Sequence, residues 1–482
     1  MHVPERLPSL LLSKENVIMN ENQRKLVRRM GKSGKAYLII MAVLIALTVI
    51  TNSDWGKDTD EVPGSNTDPV TVTVTVSPTP RPVTPTQKPA AATQKPTVQV
   101  TKPIAPTRKP VTPTPKPATP TPVPKVNLFE GYSIPQYRTL YTKLNSVEQH
   151  IYRELRAAVM QDGNSCVIRN VQYKTYADSI GRAMEALQLD FPEFFWVSGG
   201  WQWQATYNGN VGNITITMNF RDYWNDGSNK RQRITMVMNQ ARAVANAAMQ
   251  RPTHYERLQY IHDWICANTT YNYDAYESRN DQNRPAAHMQ AYSVYGVFAK
   301  KTAVCQGYAL AYKLIANMCG YTCEYARGEA GGDSHGWNYV TLNGNNYWVD
   351  VTWDDEDGRK GSAACRYTYF MVSSKYLYRD HAVNMQHFAA PVCNDDSMDY
   401  FNRYGCDFDQ YDFSAINASV KRQVAMGDLV HLRFEDRQLM DLAVEYLFGS
   451  AGHWRQLEVG DRKNVTYYRD YDQLVISIRI NR

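Results

Sequence analysis

The feature that most limits what this chain can fold into is where its prolines fall. Seventeen of the 24 lie between Pro63 and Pro124, and from Pro69 to Lys125 there is no acidic residue, only a run dominated by Pro, Thr, Val and Lys. Each proline fixes φ and removes a backbone donor, and so polar a stretch cannot bury enough apolar surface to offset the entropy of ordering it. Extended polyproline-II-like states are expected, spanning roughly 180 Å if fully stretched at about 3.1 Å per residue. Residues 53–126 therefore read as a disordered Pro/Thr-rich stalk, and the folded domains must come from 127–482.

Upstream, Ala36 to Thr51 is an uncharged apolar run. Arg24, Lys25, Arg28, Arg29, Lys32 and Lys35 precede it, and Asp54, Asp58, Asp60 and Glu61 follow. That asymmetry predicts a basic cytoplasmic tail (1–35), a single-pass signal-anchor (36–52) and an extracytoplasmic remainder at the cell membrane. A cleaved signal peptide is the rival reading, although no small-x-small cleavage site follows the run. The formal charge of +6 is a property of the tail and stalk, because residues 126–482 carry a net −3. Basicity is thus no argument for nucleic-acid binding, and none is expected.

The chemistry-bearing stretch runs from Val304 to Trp353. Apolar residues recur at Tyr308, Ala311, Tyr312, Ile315, Met318 and Cys319 with helical period, and Gly320 stands where a left-handed stop belongs. Cys305 is then on the first turn, where unpaired N–H groups and the helix dipole favour a thiolate, with Lys300 and Lys301 upstream acting in the same sense. Gly307 leaves room for another backbone or for a substrate. Trp337–Leu342 and Asn345–Val351 read as strands joined by Asn343-Gly344, a type I′ turn. That turn pairs Leu342 with Asn345, Val340 with Tyr347 and Trp337 with Asp350. His335 and Asp350 become diagonal neighbours roughly 7–8 Å apart on one face. Val340, Leu342, Tyr347, Val349 and Val351 form the face to bury. A cysteine at a helix start, with a histidine held by a carboxylate, is the nucleophile, base and orienter of covalent acyl transfer.

Val304-Cys305-Gln306-Gly307-Tyr308-Ala309, His335-Gly336-Trp337-Asn338 and Val349-Asp350-Val351-Thr352-Trp353 resemble the three blocks of the transglutaminase-like superfamily, which shares the papain-like fold. Tyr292-Ser293-Val294-Tyr295-Gly296, Tyr369-Phe370 and Asp380-His381 are similar to its bacterial cell-surface branch, linked to cytokinesis. The resemblance covers about Tyr255 to Phe388. It implies an α+β fold with a helix packed on an antiparallel sheet as catalytic core (251–399), no cofactor, and a protein or peptide substrate, a cell-wall peptide among the candidates. One oxyanion donor is expected from the Cys305 N–H. The glutamine that papain-like proteases carry six residues earlier is Ala299 here, which leaves Gln306 and Tyr295 as candidates for the second. Trp337 and Trp353 are expected to pack around the site.

Residues 127–250 read as an α+β support region, with helices at Ser146–Met160, Tyr176–Leu187 and 235–249 and strands near Cys166–Val171, Trp201–Tyr207 and Asn213–Phe220. Phe194, Phe195, Trp196, Trp201 and Trp203 are expected in its core. Tyr255–Asn268 is a further helix, and His262 on it reads as an ordinary hydrogen-bonded or surface histidine. Asp354 to Gly358 reads as a solvated acidic turn, since its spacing is not that of a calcium loop. Residues 400–482 form a small α+β appendage with a strand at Leu429–Phe434, a helix at Arg437–Phe448 and strands near Val465–Tyr468 and Leu474–Ile480. Of eight cysteines, seven remain if Cys305 is a free thiol, so they cannot all pair; Cys319 and Cys323 are the pair close enough in sequence to bridge. No CxxC or HExxH occurs, so no metal site is expected. Two functions are compatible with this reading: a surface-anchored cysteine enzyme that crosslinks or hydrolyses, or a non-catalytic scaffold for cell-wall or partner binding.

Overall fold

Asn145 sets the first helix of the folded part. Its side chain accepts the N–H groups of Val147 and Glu148, and the Glu148 carboxylate accepts the Asn145 N–H at 2.9 Å, a capping box that starts α1 (Ser146–Met160). The computed structural model describes residues 70–76, 127–136, 138–221, 230–281, 283–355, 366–449, 452–457 and 465–480. The signal-anchor stretch and most of the stalk lie outside them. Among the described residues no helix is long and apolar enough to cross a membrane.

One stalk segment differs from its sequence reading. Val70–Val76 is a strand, β1. Its strict Val/Thr alternation is a β-branched, period-two pattern, and that local preference prevails over the proline-rich context. With β2 (Ser165–Gln172), β3 (Val197–Asn208) and β4 (Val211–Phe220) it forms a four-stranded antiparallel sheet of order β1-β3-β4-β2. α1 and α2 (Tyr173–Asp190) pack on this sheet. Phe194, Phe195 and Trp196 are buried in the adjoining core, while Trp201 and Trp203 are half-buried against it.

α3 (Lys230–Met249) and α4 (His254–Asn268) follow, and between them and a second sheet lies α5 (Cys305–Met318). α5 is buried nearly all round, which explains its excess of Ala, Leu, Ile and Tyr over any simple amphipathic stripe. It ends as expected, at Cys319 and a left-handed Gly320 with φ +86°. The second sheet comprises β5 (Thr322–Ala330), β6 (Asp333–Leu342), β7 (Asn345–Val349), β8 (Phe370–Val372) and β9 (His381–Val383), antiparallel in the order β8-β7-β6-β5-β9. The hairpin turn has φ +54° at Asn343 and +86° at Gly344, and the register pairs Leu342 with Asn345 and Val340 with Tyr347 as the sequence predicts. The ladder stops at Asn338–Val349, because Asp350 leaves the strand to cap the short helix α6 (Val351–Asp354).

Both faces of this sheet are covered, not one. Val340, Leu342, Tyr347 and Val349 face the main core, and Trp337, Tyr339 and Trp348 are buried under Tyr369, Tyr376, Leu377 and Cys393. Strand β5 is invisible to a period-two search because charged Glu324 is itself buried, paired at 2.5 Å with the buried Lys313 ammonium of α5.

The C-terminal part has its own core. β10 (Asp407–Phe408), β11 (Leu429–Phe434), β12 (Val465–Asp470) and β13 (Val475–Ile480) form a sheet of order β10-β11-β13-β12, with α7 (Phe413–Met426) and α8 (Arg437–Phe448) packed on β11. α7 escapes sequence detection because its buried face includes Ser419 and Gln423. Gln423 is satisfied there by Tyr400 and by both backbone groups of His431.

Candidate active site

Val304 is extended and precedes α5 without a side-chain cap, so Cys305 is the first helical residue, as its sequence position predicts. The start of this helix is wedged against the chain at Ala291. Val304 donates to the Ala291 carbonyl at 3.1 Å, and a Cβ on Gly307 would lie 2.5 Å from that oxygen and 2.8 Å from Ala303 Cβ. The space Gly307 provides is therefore filled by backbone. Cys305 takes part in no disulfide and is 2% exposed.

His335, on β6, is hydrogen-bonded to Cys305 and, through Nε2, to Asp350 Oδ2 at 2.6 Å. With Nε2 occupied by the carboxylate, Nδ1 is the ring nitrogen left for sulfur. Asp350 is held from two sides. Its Oδ1 accepts the N–H groups of Thr352 at 2.9 Å and Trp353 at 3.3 Å, capping α6, so the same side chain that orients the imidazole also starts a helix. Burial alone would raise the Asp350 carboxyl pKa, but His335 and then His381 outweigh it and hold it well below the usual range. Burial likewise opposes charge on His335, yet the Asp350 carboxylate and Cys305 prevail and raise its pKa.

His381 is a site residue that the sequence offered only as part of a flanking dipeptide. Its Nε2 donates to the same Asp350 Oδ2 at 3.1 Å, and its Nδ1 lies 2.5 Å from Asp380 Oδ1. Two carboxylate acceptors require N–H at both nitrogens, and the ring pKa is raised, the two carboxylates overcoming the effect of burial. Trp337 lies nearly parallel to His335 at 5.8 Å between ring centroids, and Trp353 packs 5.7 Å from His335 and 4.6 Å from His381. Both tryptophans thus pack against the histidines. Burial raises the phenol pKa values of Tyr271 and Tyr276, with Cys305 adding to it at Tyr271 and, after Asp333, at Tyr276.

Other sequence candidates stand differently. Gln306 is half-buried on the first turn of α5. The Tyr295 ring packs 5.6 Å from Phe195 and under the cations of Arg233 and Lys300. Lys301 bonds Gln240 and sits over Trp264. Asp354 is not in a solvated turn. It is fully buried, accepting from Tyr369 N at 3.1 Å and lying 3.2 Å from Nε2 of His262, which is also fully buried. Cys319 and Cys323 are both free, Cys323 being enclosed in the core, whereas Cys266 is disulfide-bonded.

His335, Asp350 and His381 offer three potential metal-ligand atoms within 4.8 Å of one another. The 2.6 Å between His335 Nε2 and the carboxylate is a direct hydrogen bond, shorter than the roughly 3.4 Å between two ligands tetrahedrally bound to one zinc ion at about 2.1 Å. The donor set fits proton transfer better than metal binding. A thiol touching an imidazole whose far nitrogen is fixed by a doubly capped carboxylate can carry covalent acyl transfer.

Residues 242–353 match the model of the transglutaminase-like superfamily core. No curated protein matches the chain. Three solved structures show local likeness. One described as a TGase is 15% identical, with a TM-score of 0.25, covering 35% of this chain and 48% of its own. A candidate cysteine protease from Cytophaga hutchinsonii is 14% identical, with a TM-score of 0.20 over 32% of this chain and 58% of its own. A candidate protease from Parabacteroides distasonis is 10% identical, with a TM-score of 0.18 over 30% and 34%. This chain thus spans about half the length of the first two and a third of the last. With the three sequence blocks and the helix-on-antiparallel-sheet architecture, the family match identifies residues 242–353 as a domain of the transglutaminase-like superfamily.

Proposed function

We propose that the protein is a membrane-anchored cysteine enzyme of the cell surface, in which Cys305, His335 and Asp350 carry acyl transfer on protein or peptide carboxamides. The observation that carries this reading is the continuous link from the Cys305 thiol through the His335 ring to the Asp350 carboxylate. With the Cys305 proton already held on His335 Nδ1 as an imidazolium–thiolate pair, the Cys305 sulfur attacks the carboxamide carbon. Collapse of the tetrahedral adduct breaks the C–N bond, and the imidazolium returns that proton to the departing amine, leaving a thioester. Attack by a lysine amine then gives an isopeptide crosslink, and attack by water gives hydrolysis. In both cases His335 takes the nucleophile's proton and the thiol is regenerated. The apolar run at 36–52, its flanking charges and the proline-rich stalk support anchorage with the domain held away from the bilayer.

The test is incorporation of a fluorescent primary amine into cell-surface or wall-protein extracts by the full-length chain. Incorporation that is lost in Cys305→Ala supports transferase activity; release of fragments without incorporation, also lost in Cys305→Ala, supports hydrolysis. If wild type and Cys305→Ala behave alike in both assays, the scaffold alternative replaces the enzyme.

A further inference from the structure

The Asp350 carboxylate is shared, and the sharing is organised from the far end of the chain. Asp350 Oδ2 receives His335 at 2.6 Å and His381 at 3.1 Å. His381 is held in turn by Asp380, and Asp380 Oδ2 accepts the Tyr369 hydroxyl at 2.6 Å and the side-chain amide of Gln473 at 2.7 Å. Gln473 lies 93 residues beyond Asp380 in sequence, in the turn between β12 and β13 of the C-terminal sheet. It is 1% exposed, and its backbone and its side-chain amide nitrogen are all held. Its N–H donates to Asp470 Oδ1 at 2.9 Å, its carbonyl accepts from Arg379 at 2.7 Å, and its amide also reaches the Tyr376 carbonyl at 3.2 Å. A glutamine that served only to join two units would have no need to be aimed at the carboxylate behind a site histidine.

We propose that the C-terminal unit is a positioning element of the cysteine site. Gln473 and Tyr369 fix Asp380, Asp380 fixes His381, and His381 keeps a second N–H on the Asp350 oxygen, so that His335 commands only part of that carboxylate. The chemistry benefits in a specific way. An imidazole gripped by an undivided carboxylate takes a proton readily but gives it up poorly, whereas His335 must do both in one turnover. The groups facing His381 are Asp350 and Asp380 at its nitrogens, the His335 ring at 5.8 Å, the Tyr369 ring at 5.1 Å, and the rings of Trp337 and Trp353 at 5.0 and 4.6 Å. Its own cationic form is therefore set by the two carboxylates.

This inference rests on the proposed role of His335, and its test is read on the ring itself, independently of turnover. In the full-length chain, the His335 ring signals, assigned with His335→Gln, are followed by NMR across the neutral and alkaline range in wild type and in Gln473→Met, which keeps the length of the side chain and removes its donor. Without that donor Asp380 is no longer fixed, His381 loosens its hold on the shared oxygen, Asp350 is left more fully to His335, and the titration midpoint of His335 rises by about half a pH unit or more. A midpoint that stays put or falls overturns the proposal, whatever happens to thermal stability, because a purely structural role would lower Tm and leave the ring unmoved. Should Gln473→Met not fold, Asp380→Asn interrupts the same link one step closer and must raise the midpoint likewise. Failure of the enzyme reading shows separately, as wild-type Cys305 reacting with iodoacetamide no faster than the other free thiols.

Discussion

At the scale of the residue, the site depends on one carboxylate with four donors around it. Asp350→Asn keeps the shape but offers one acceptor oxygen where two were used, and its amide must turn N–H groups toward either the helix cap or the two imidazoles. By analogy with asparagine replacement in other triads, amine incorporation should fall on the order of 100-fold or more, with the chain still folded by circular dichroism. Retention of activity within a few-fold would remove Asp350 from the mechanism. Cys305 itself is 2% exposed and hydrogen-bonded to His335, within electrostatic reach of Tyr271 and Tyr276. Labelling of this thiol should therefore depend on reagent size: iodoacetamide fast, a bulky maleimide slower by about 10-fold or more relative to a free cysteine peptide. Equal relative rates would mean that the thiol is open to solvent in the working protein.

At the scale of the element, α5 delivers the thiol only because its first turn fits against Ala291 and Ala303. Gly307→Ala adds a methyl where backbone already stands 2.5 Å away. Overpacking of this kind costs about 1–3 kcal/mol. A drop in Tm of roughly 2–10 °C is expected, with amine incorporation falling further than the change in folded fraction explains, since the shift displaces Cys305 from His335. A variant with wild-type Tm and activity would show that the helix start can move freely.

At the scale of the whole molecule, buried histidines make stability depend on pH in one direction. Burial works against a charge on His262, but Asp263 and Asp354 outweigh it and push its pKa from 6.5 up to about 9. A raised pKa means that the folded state binds the proton more tightly, so this contribution is complete below pH 6.5 and is lost as pH rises through about 9. His335 and His381 are raised too, and burial raises the thiols of Cys319 and Cys323, so all act in the same sense. Asp350 acts oppositely, its stabilisation vanishing only in acid. Thermal melts should show Tm lower by roughly 5 °C or more at pH ~9.5 than at pH ~6.5. A flat or rising profile over that interval would mean that the histidines are neutral in the fold.

The sequence by itself determined the stop and start of α5, the hairpin turn and its register, and hence that Cys305, His335 and Asp350 could meet, because helix periods, Gly320 and Asn343-Gly344 are local signals carried by neighbouring residues. Only the tertiary structure decided what surrounds them. His381 and Gln473 join Asp350 across 31 residues and a separate sheet. Asp354 is drawn inside by His262 from 92 residues away. Strand β5 and helix α7 exist because Lys313 and His431 satisfy polar groups that local patterning would leave in solvent. Burial of a charged or amide side chain is allowed by its distant partner, and no reading of neighbours along the chain can supply that partner.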